Sequence, residues 1–98
     1  MYNIEITPEV ASKLKKLKKR DMKSFHNVIS KIKQIAIVVE TNPDHCKNLK
    51  KPLSDFKRVH VNKGYVLIFL INKRSKIMVV VDYDHHDNIY DKNYRTFK

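Results

Sequence analysis

Seven consecutive residues, Tyr65 to Ile71 (YVLIFLI), carry no charge and no polar group beyond one phenol. A strand that alternated would offer water one face. This one does not, so it reads as a central strand buried on both faces. Asn62-Lys63-Gly64 precedes it as a short hairpin turn, and the chain's only glycine is the residue expected at positive φ. Asn72–Ser75 turns the chain again after it. Phe56–Val61 and Lys76–Tyr83 thereby flank the central strand as antiparallel neighbours. In the first, Phe56, Val59 and Val61 are apolar while Arg58 and His60 point the other way, with the phase slipping at Lys57. In the second, five apolar residues from Ile77 to Val81 run straight into Asp82, Tyr83, Asp84, His85, His86 and Asp87.

The first half of the chain supplies cover for this sheet. Tyr2–Ile6 alternates and reads as a half-buried strand. Thr7-Pro8-Glu9 is a helix start, with Thr7 as N-cap, Pro8 at the first helical position and Glu9 near the positive end of the dipole. Val10, Leu14 and Leu17 form one apolar stripe amid Lys13, Lys15, Lys16, Lys18, Lys19 and Arg20. Asp21 caps a second helix in which Met22, Phe25, Val28, Ile29, Ile32, Ile35, Ala36 and Val39 recur at helical spacing. Ala36–Val39 is rich in β-branched residues, yet the unbroken period assigns it to the helix, which ends at Asn42-Pro43. So tight a link implies an antiparallel helical hairpin. Pro43 to Asp55 is a polar connector, and the tail from Asp91 is polar, with Tyr94 and Phe97 able to pack. The expected fold is α+β: a helical hairpin on one face of a mainly antiparallel four-stranded sheet, in the order β-α-α-β-β-β.

Ninety-eight residues make one domain, spanning 1–98. The single cysteine, Cys46, excludes an internal disulfide and fits a reducing compartment, so a cytoplasmic location is expected. No apolar run is long enough to cross a membrane, and the N-terminus does not resemble a signal peptide. Twenty-one Lys and Arg against ten Asp and Glu leave a net charge of +11, which favours a polyanionic partner such as nucleic acid. Codon bias toward lysine would also produce it. The absence of Trp argues against a base-stacking platform of the single-strand-binding kind.

There is no Gly-rich phosphate loop, no Cys-x-x-Cys and no Gly-x-Ser-x-Gly elbow. Cys46 lies beside His45, but adjacency does not make a dyad, and free cysteines commonly serve as small hydrophobes. The His85-His86 pair admits three readings. It belongs to a polar surface loop, or it contributes to a metal site with Asp84 and either His60 or Asp87, or it joins Arg58 and His60 in acid–base chemistry. Adjacent ligands without a helical i,i+4 or repeated spacing do not match the zinc patterns, and no metal or cofactor is expected. Arg58, His60, His85, His86 and Tyr90 together would supply a cation, a general base, a general acid and a phenol donor, the groups that metal-free RNA cleavage requires. Lys47, Lys50, Lys51 and Lys57 would then track phosphates.

The order of elements and several local patterns resemble the RelE/ParE toxin superfamily of prokaryotic toxin–antitoxin systems. Tyr2-Asn3-Ile4-Glu5-Ile6-Thr7-Pro8-Glu9 with Leu14-Lys15-Lys16-Leu17 resembles its first strand and helix. Lys47-Asn48-Leu49-Lys50 is similar to its lysine–leucine connector, and Arg58-Val59-His60-Val61 with Gly64 to Phe69 to its basic strand and the strand that follows. His85-His86-Asp87-Asn88-Ile89-Tyr90 resembles its closing segment. The resemblance implies a toxin held by a cognate antitoxin, touching operator DNA only through the antitoxin complex. In the ribonuclease branch it implies cleavage of mRNA at the ribosome without metal. Arg58 and His60 would occupy the basic strand positions, His86 that of an active-site arginine and Tyr90 that of the closing tyrosine. Two departures stand out. Val66 replaces a strand arginine, and His86 exchanges a permanent bidentate charge for an imidazole. They leave open a ParE-like inhibitor of DNA gyrase, or a RelE-fold binding protein of weakened catalysis.

Overall fold

The computed structural model describes residues 2–51 and 53–91. The expected packing of Tyr94 and Phe97 falls outside them. Strand β1 (Asn3–Ile6) leads into α1 (Pro8–Arg20) and α2 (Met22–Thr41). Four strands follow: β2 (Lys47–Asn48), β3 (Lys57–His60), β4 (Tyr65–Asn72) and β5 (Ile77–His85). A 3-10 helix, His86–Asp91, closes the described chain.

The helical hairpin forms where its capping residues place it. The Thr7 hydroxyl accepts the Val10 amide at 3.3 Å, and Pro8 occupies the first helical position, where no amide donor is needed. Asp21 serves both helices: its amide donates to the Leu17 carbonyl at 2.7 Å, and its carboxylate accepts the Ser24 amide at 3.1 Å. That acceptance, with the Ser24 hydroxyl at 2.6 Å, holds the Asp21 carboxyl below its usual range. Val10, Leu14 and Leu17 of α1 and Val28, Ile32, Ile35, Ala36 and Val39 of α2 are buried together, so α2 remains helical through its β-branched end. No helix among the described residues is long and apolar enough to cross a membrane.

The sheet has five strands rather than four, in the order β1-β5-β4-β3-β2. The additional strand, β2, lies within the segment read as a polar connector. Two residues are too few to show a period, and β2 is defined by pairing alone, Lys47 opposite Arg58 and Asn48 opposite Lys57. β1 runs parallel to β5, Ile4 opposite Met78, because the helical hairpin carries the chain back across the sheet. The other pairings are antiparallel.

β4 is central and covered on both faces, as its composition requires. Leu67 and Phe69 join the main core beneath the helices; Val66 and Ile68 join a second cluster with Leu49, Leu53, Phe56, Val81 and Ile89. No helix of the hairpin covers that far face. The stretch from Leu49 to Phe56 and the closing 3-10 helix do so. Gly64 takes φ 77° in the turn before β4, as expected, and Asn62 shares the left-handed region at φ 63°. One irregularity sets the geometry of the sheet's end. Phe69 faces Val80 while Ile68 faces Asp82, so Val81 is the extra residue of a bulge in β5.

Candidate functional site

The bulge determines which way the end of β5 points. Val80 belongs to the main core and Val81 to the far-side cluster, as alternation demands, but Tyr83 returns to the main core. Tyr83 stands opposite Leu67 and His85 opposite Tyr65, so Tyr83, Tyr65 and His85 share the helix side of the sheet. Their rings are in contact: Tyr65 stacks on Tyr83 at 5.2 Å and meets His85 edge-on at 5.6 Å.

His85 and His86 stack at 4.4 Å over Asp87. The Nδ1 atom of His86 lies 3.0 Å from one carboxylate oxygen of Asp87, and that of His85 lies 3.4 Å from the other. The Asp87 amide donates to His85 Nδ1 at 3.2 Å, so that nitrogen is an acceptor and the neutral ring carries its proton on Nε2. The backbone at this corner is pinned, with the His86 amide donating to the Gly64 carbonyl at 3.0 Å. Gly64 also gives His85 its space, because a Cβ there would lie 3.0 Å from His85 Nε2. The donor atoms of His85, His86 and Asp87 fall within 4.8 Å of one another, so this set could hold a cation.

Arg58 and His60 lie on the far side of the sheet. His60 stands opposite Val66, which itself stands opposite Asp84; Arg58 stands opposite Ile68 on one flank and Lys47 on the other. His60 is exposed and Arg58 half-buried, and both border an open cavity of about 290 Å³ shared with His45, Cys46 and Lys47. Tyr90 reaches this side too: its hydroxyl accepts the Lys50 amide at 3.1 Å while Ile89 anchors in the far-side cluster. The sequence-derived set is thus split by the pleat. Arg58, His60 and Tyr90 lie on the far side, His85 lies on the helix side, and His86 sits at the corner where the 3-10 helix turns from one to the other. On strand spacings of about 4.8 Å, His60 and the β5 end are roughly 10 Å apart across the sheet.

Among the four lysines expected to track phosphates, Lys47, Lys50 and Lys51 are exposed. Lys57 is different. It is 7 % exposed, and its ammonium donates to Asn48 Oδ1 at 2.8 Å and the Cys46 carbonyl at 3.2 Å. It ties β2 to β3 instead of facing a polyanion. Cys46 is half-buried against the main core, and burial pushes its thiol pKa up, which withholds the thiolate a nucleophile needs. Asp82 is structural, buried and accepting Lys13 Nζ at 2.7 Å, and Lys13 also reaches Asp84 at 3.5 Å.

Tyr65 is the site residue that sequence reasoning missed. Its signal was positional: the first residue after a Gly turn faces the last rung of the neighbouring strand, here His85.

Residues 4–90 match the family described as ParE toxin of the type II toxin–antitoxin system parDE. A Methanocaldococcus jannaschii protein bearing the toxin name RelE4 is 48 % identical over 92 residues, covering 94 % of each chain. Among solved structures, the YoeB/ParE toxin of Agrobacterium tumefaciens superposes with a TM-score of 0.70 at 9 % identity, over 86 % of this chain and 98 % of that one. The heterotetrameric YoeB–YefM toxin–antitoxin complex of Staphylococcus aureus gives 0.64 at 15 %, over 88 % and 98 %. At such identities the two structures speak for the fold alone, but the family match spans nearly the whole described chain. The chain belongs to the RelE/ParE superfamily as a toxin of the type II toxin–antitoxin class.

Proposed function

We propose that this toxin is an endoribonuclease that cleaves mRNA at the ribosome by acid–base chemistry, without metal. The observation that carries the reading is the His86–Asp87 contact, 3.0 Å at Nδ1, on a solvent-reachable imidazole. A carboxylate at Nδ1 fixes the ring's orientation and leaves Nε2 as the free base, the role such a carboxylate plays in hydrolase triads. His86 then takes the proton from a ribose 2′-OH. The 2′-oxygen forms a bond to phosphorus as the bond to the 5′-oxygen breaks, and His60 returns a proton to that leaving oxygen. The products are a 2′,3′-cyclic phosphate and a 5′-hydroxyl. Arg58 offsets the charge that grows on the phosphorane, and Tyr90 holds the Lys50 backbone beside it. His85 serves as a positioning residue, its Nδ1 already occupied by the Asp87 amide. Lys47, Lys50 and Lys51 follow the RNA backbone. A cognate antitoxin holds the toxin in the cytoplasm, as YefM is held with YoeB in the staphylococcal complex, and operator DNA is met only through that complex.

Induction in cells with mapped mRNA ends tests this. Translation should stop with cleavage at mapped sites, and His60→Ala, His86→Ala and Tyr90→Ala should each relieve it; undiminished toxicity in all three would sink the assignment.

A ParE-like inhibitor of DNA gyrase is the second reading. It is favoured by Val66, which is 1 % exposed within the far-side cluster beside His60 and leaves that rung without a cation. Loss of gyrase supercoiling with purified protein, and intact mRNA, would establish it in place of the nuclease.

A further inference from the structure

A groove crosses the helix side of the sheet's end, between the α1–α2 junction and the turn from β3 to β4. It consists of two cavities of about 290 and 230 Å³ that share Leu17, Arg20, Tyr65 and Tyr83 in their walls. Tyr83 is buried, and its hydroxyl is held at 2.9 Å by the amide nitrogen of Asn62. Tyr65 stacks on it and remains 36 % exposed, an aromatic face backed by a second ring. The rim is cationic, with Lys16 and Arg20 from α1 and Lys63 from the turn, all exposed. Two carboxylates also line the groove, and both are engaged: Asp21 caps Ser24, while Asp84 accepts the His85 amide at 2.7 Å and lies 3.5 Å from Lys13.

We propose that this groove binds one nucleotide of a single RNA strand, with the base stacked on Tyr65 and the flanking phosphates on Arg20 and Lys63. A supported ring with two cations on the rim of the same cavity suits a base between two phosphates, because every base has a stacking face and each phosphate needs one cation. An acidic peptide would use the rim but leave the ring pair without a role. Tyr65 touches His85, so the nucleotide bound here adjoins the one at His86; that placement rests on the nuclease reading, whereas the binding does not.

The test is fluorescence anisotropy with a labelled 2′-O-methyl hexaribonucleotide, which offers no 2′-OH and so reports binding apart from cleavage. Tyr65→Ala should weaken binding roughly 5- to 150-fold, the range of one lost stack, while Tyr65→Phe retains it within about twofold. Arg20→Gln and Lys63→Gln should each reduce the slope of log affinity against log salt by roughly 0.7, and Lys33→Gln, exposed on α2, should leave it unchanged. Wild-type affinity in a Tyr65→Ala protein with an unaltered melting temperature would overturn the proposal. So would an oligoglutamate that binds with the same dependence on Tyr65. Tyr65-dependent binding by a protein that cuts no mRNA keeps the groove and removes the nuclease; mRNA cutting with Tyr65-independent binding keeps the nuclease and removes the groove.

Discussion

Replacing Lys57 by Met separates a stabilising lysine from an RNA-binding one. The wild-type ammonium donates to Asn48 Oδ1 and the Cys46 carbonyl from a position 7 % exposed, and both acceptors are uncharged. Hydrogen bonds from an ion are worth roughly 1.5–3 kcal/mol each when their partners stay dry. Met preserves the apolar stem, so little packing is lost. Two effects reduce the total: Asn48 is exposed and its oxygen can be rehydrated, and the variant no longer buries a charge. A net loss of about 2 kcal/mol remains, centred on the carbonyl of the half-buried Cys46. For a domain of this size that lowers the melting temperature by roughly 8–16 °C. Circular dichroism melts would show it, and urea titration should move the midpoint with the slope unchanged. Hexaribonucleotide affinity at a temperature where the variant is folded should keep its salt dependence. Lys47→Gln, Lys50→Gln and Lys51→Gln should behave in the opposite way, each removing about 0.7 from the salt slope and changing stability by less than about 0.5 kcal/mol. Melting within about 2 °C of wild type, together with a lost phosphate contact, would show that Lys57 faces RNA and does not tie β2 to β3.

Gly64→Ala forces a side chain to φ 77° and sets its Cβ 3.0 Å from His85 Nε2, so thermal unfolding should report a loss of about 1–3 kcal/mol, and the shifted His85–His86 pair should lower toxicity on induction. Phe69→Ala empties a fully buried position in the main core and should cost about 3–5 kcal/mol by urea titration, enough to leave the domain marginal. Burial raises the Tyr83 phenol pKa from its ordinary 10.0, more than the Asn62 hydrogen bond lowers it. The neutral form is thus favoured in the fold, and the contribution is fully present below pH 10 and lost as pH rises through the folded value. Melts taken across that range should fall in the wild type more steeply than in Tyr83→Phe, and equal slopes would contradict this.

The fold was legible in the sequence wherever a pattern ran longer than a turn. Val10, Leu14 and Leu17, and the eighteen residues from Met22 to Val39, marked both helices, and Thr7-Pro8 and Asp21 marked their starts. Tyr65–Ile71 announced a strand buried on both faces because it lacks alternation. The same property concealed what covers the second face. Leu49, Leu53, Phe56 and Ile89 are isolated apolar residues in polar surroundings, and only the assembled sheet brings them together. β2 is invisible for the related reason that two residues show no period, and nothing in the sequence marks Lys57 as buried, because its acceptors are Asn48 on that strand and the Cys46 carbonyl just before it.

The candidate site was legible in its residues and not in their directions. Ile77–Val81 is apolar throughout, so nothing in the chain records which of these side chains faces the helices. Counting alternately from Val80, which belongs to the main core, would place Tyr83 and His85 on the far side, beside Arg58 and His60. The extra residue at Val81 inverts that phase. A one-residue insertion in a strand exchanges every side chain beyond it between the two faces. Here it gives His85 to the aromatic row with Tyr65 and Tyr83, and leaves His86, turned by the 3-10 helix and held through the Gly64 carbonyl, as the imidazole at the edge between the faces. The bulge therefore connects the two proposals. Without it the helix-side groove would lose Tyr83 and with it the support beneath Tyr65, and His85 would leave the aromatic row for the face that carries His60.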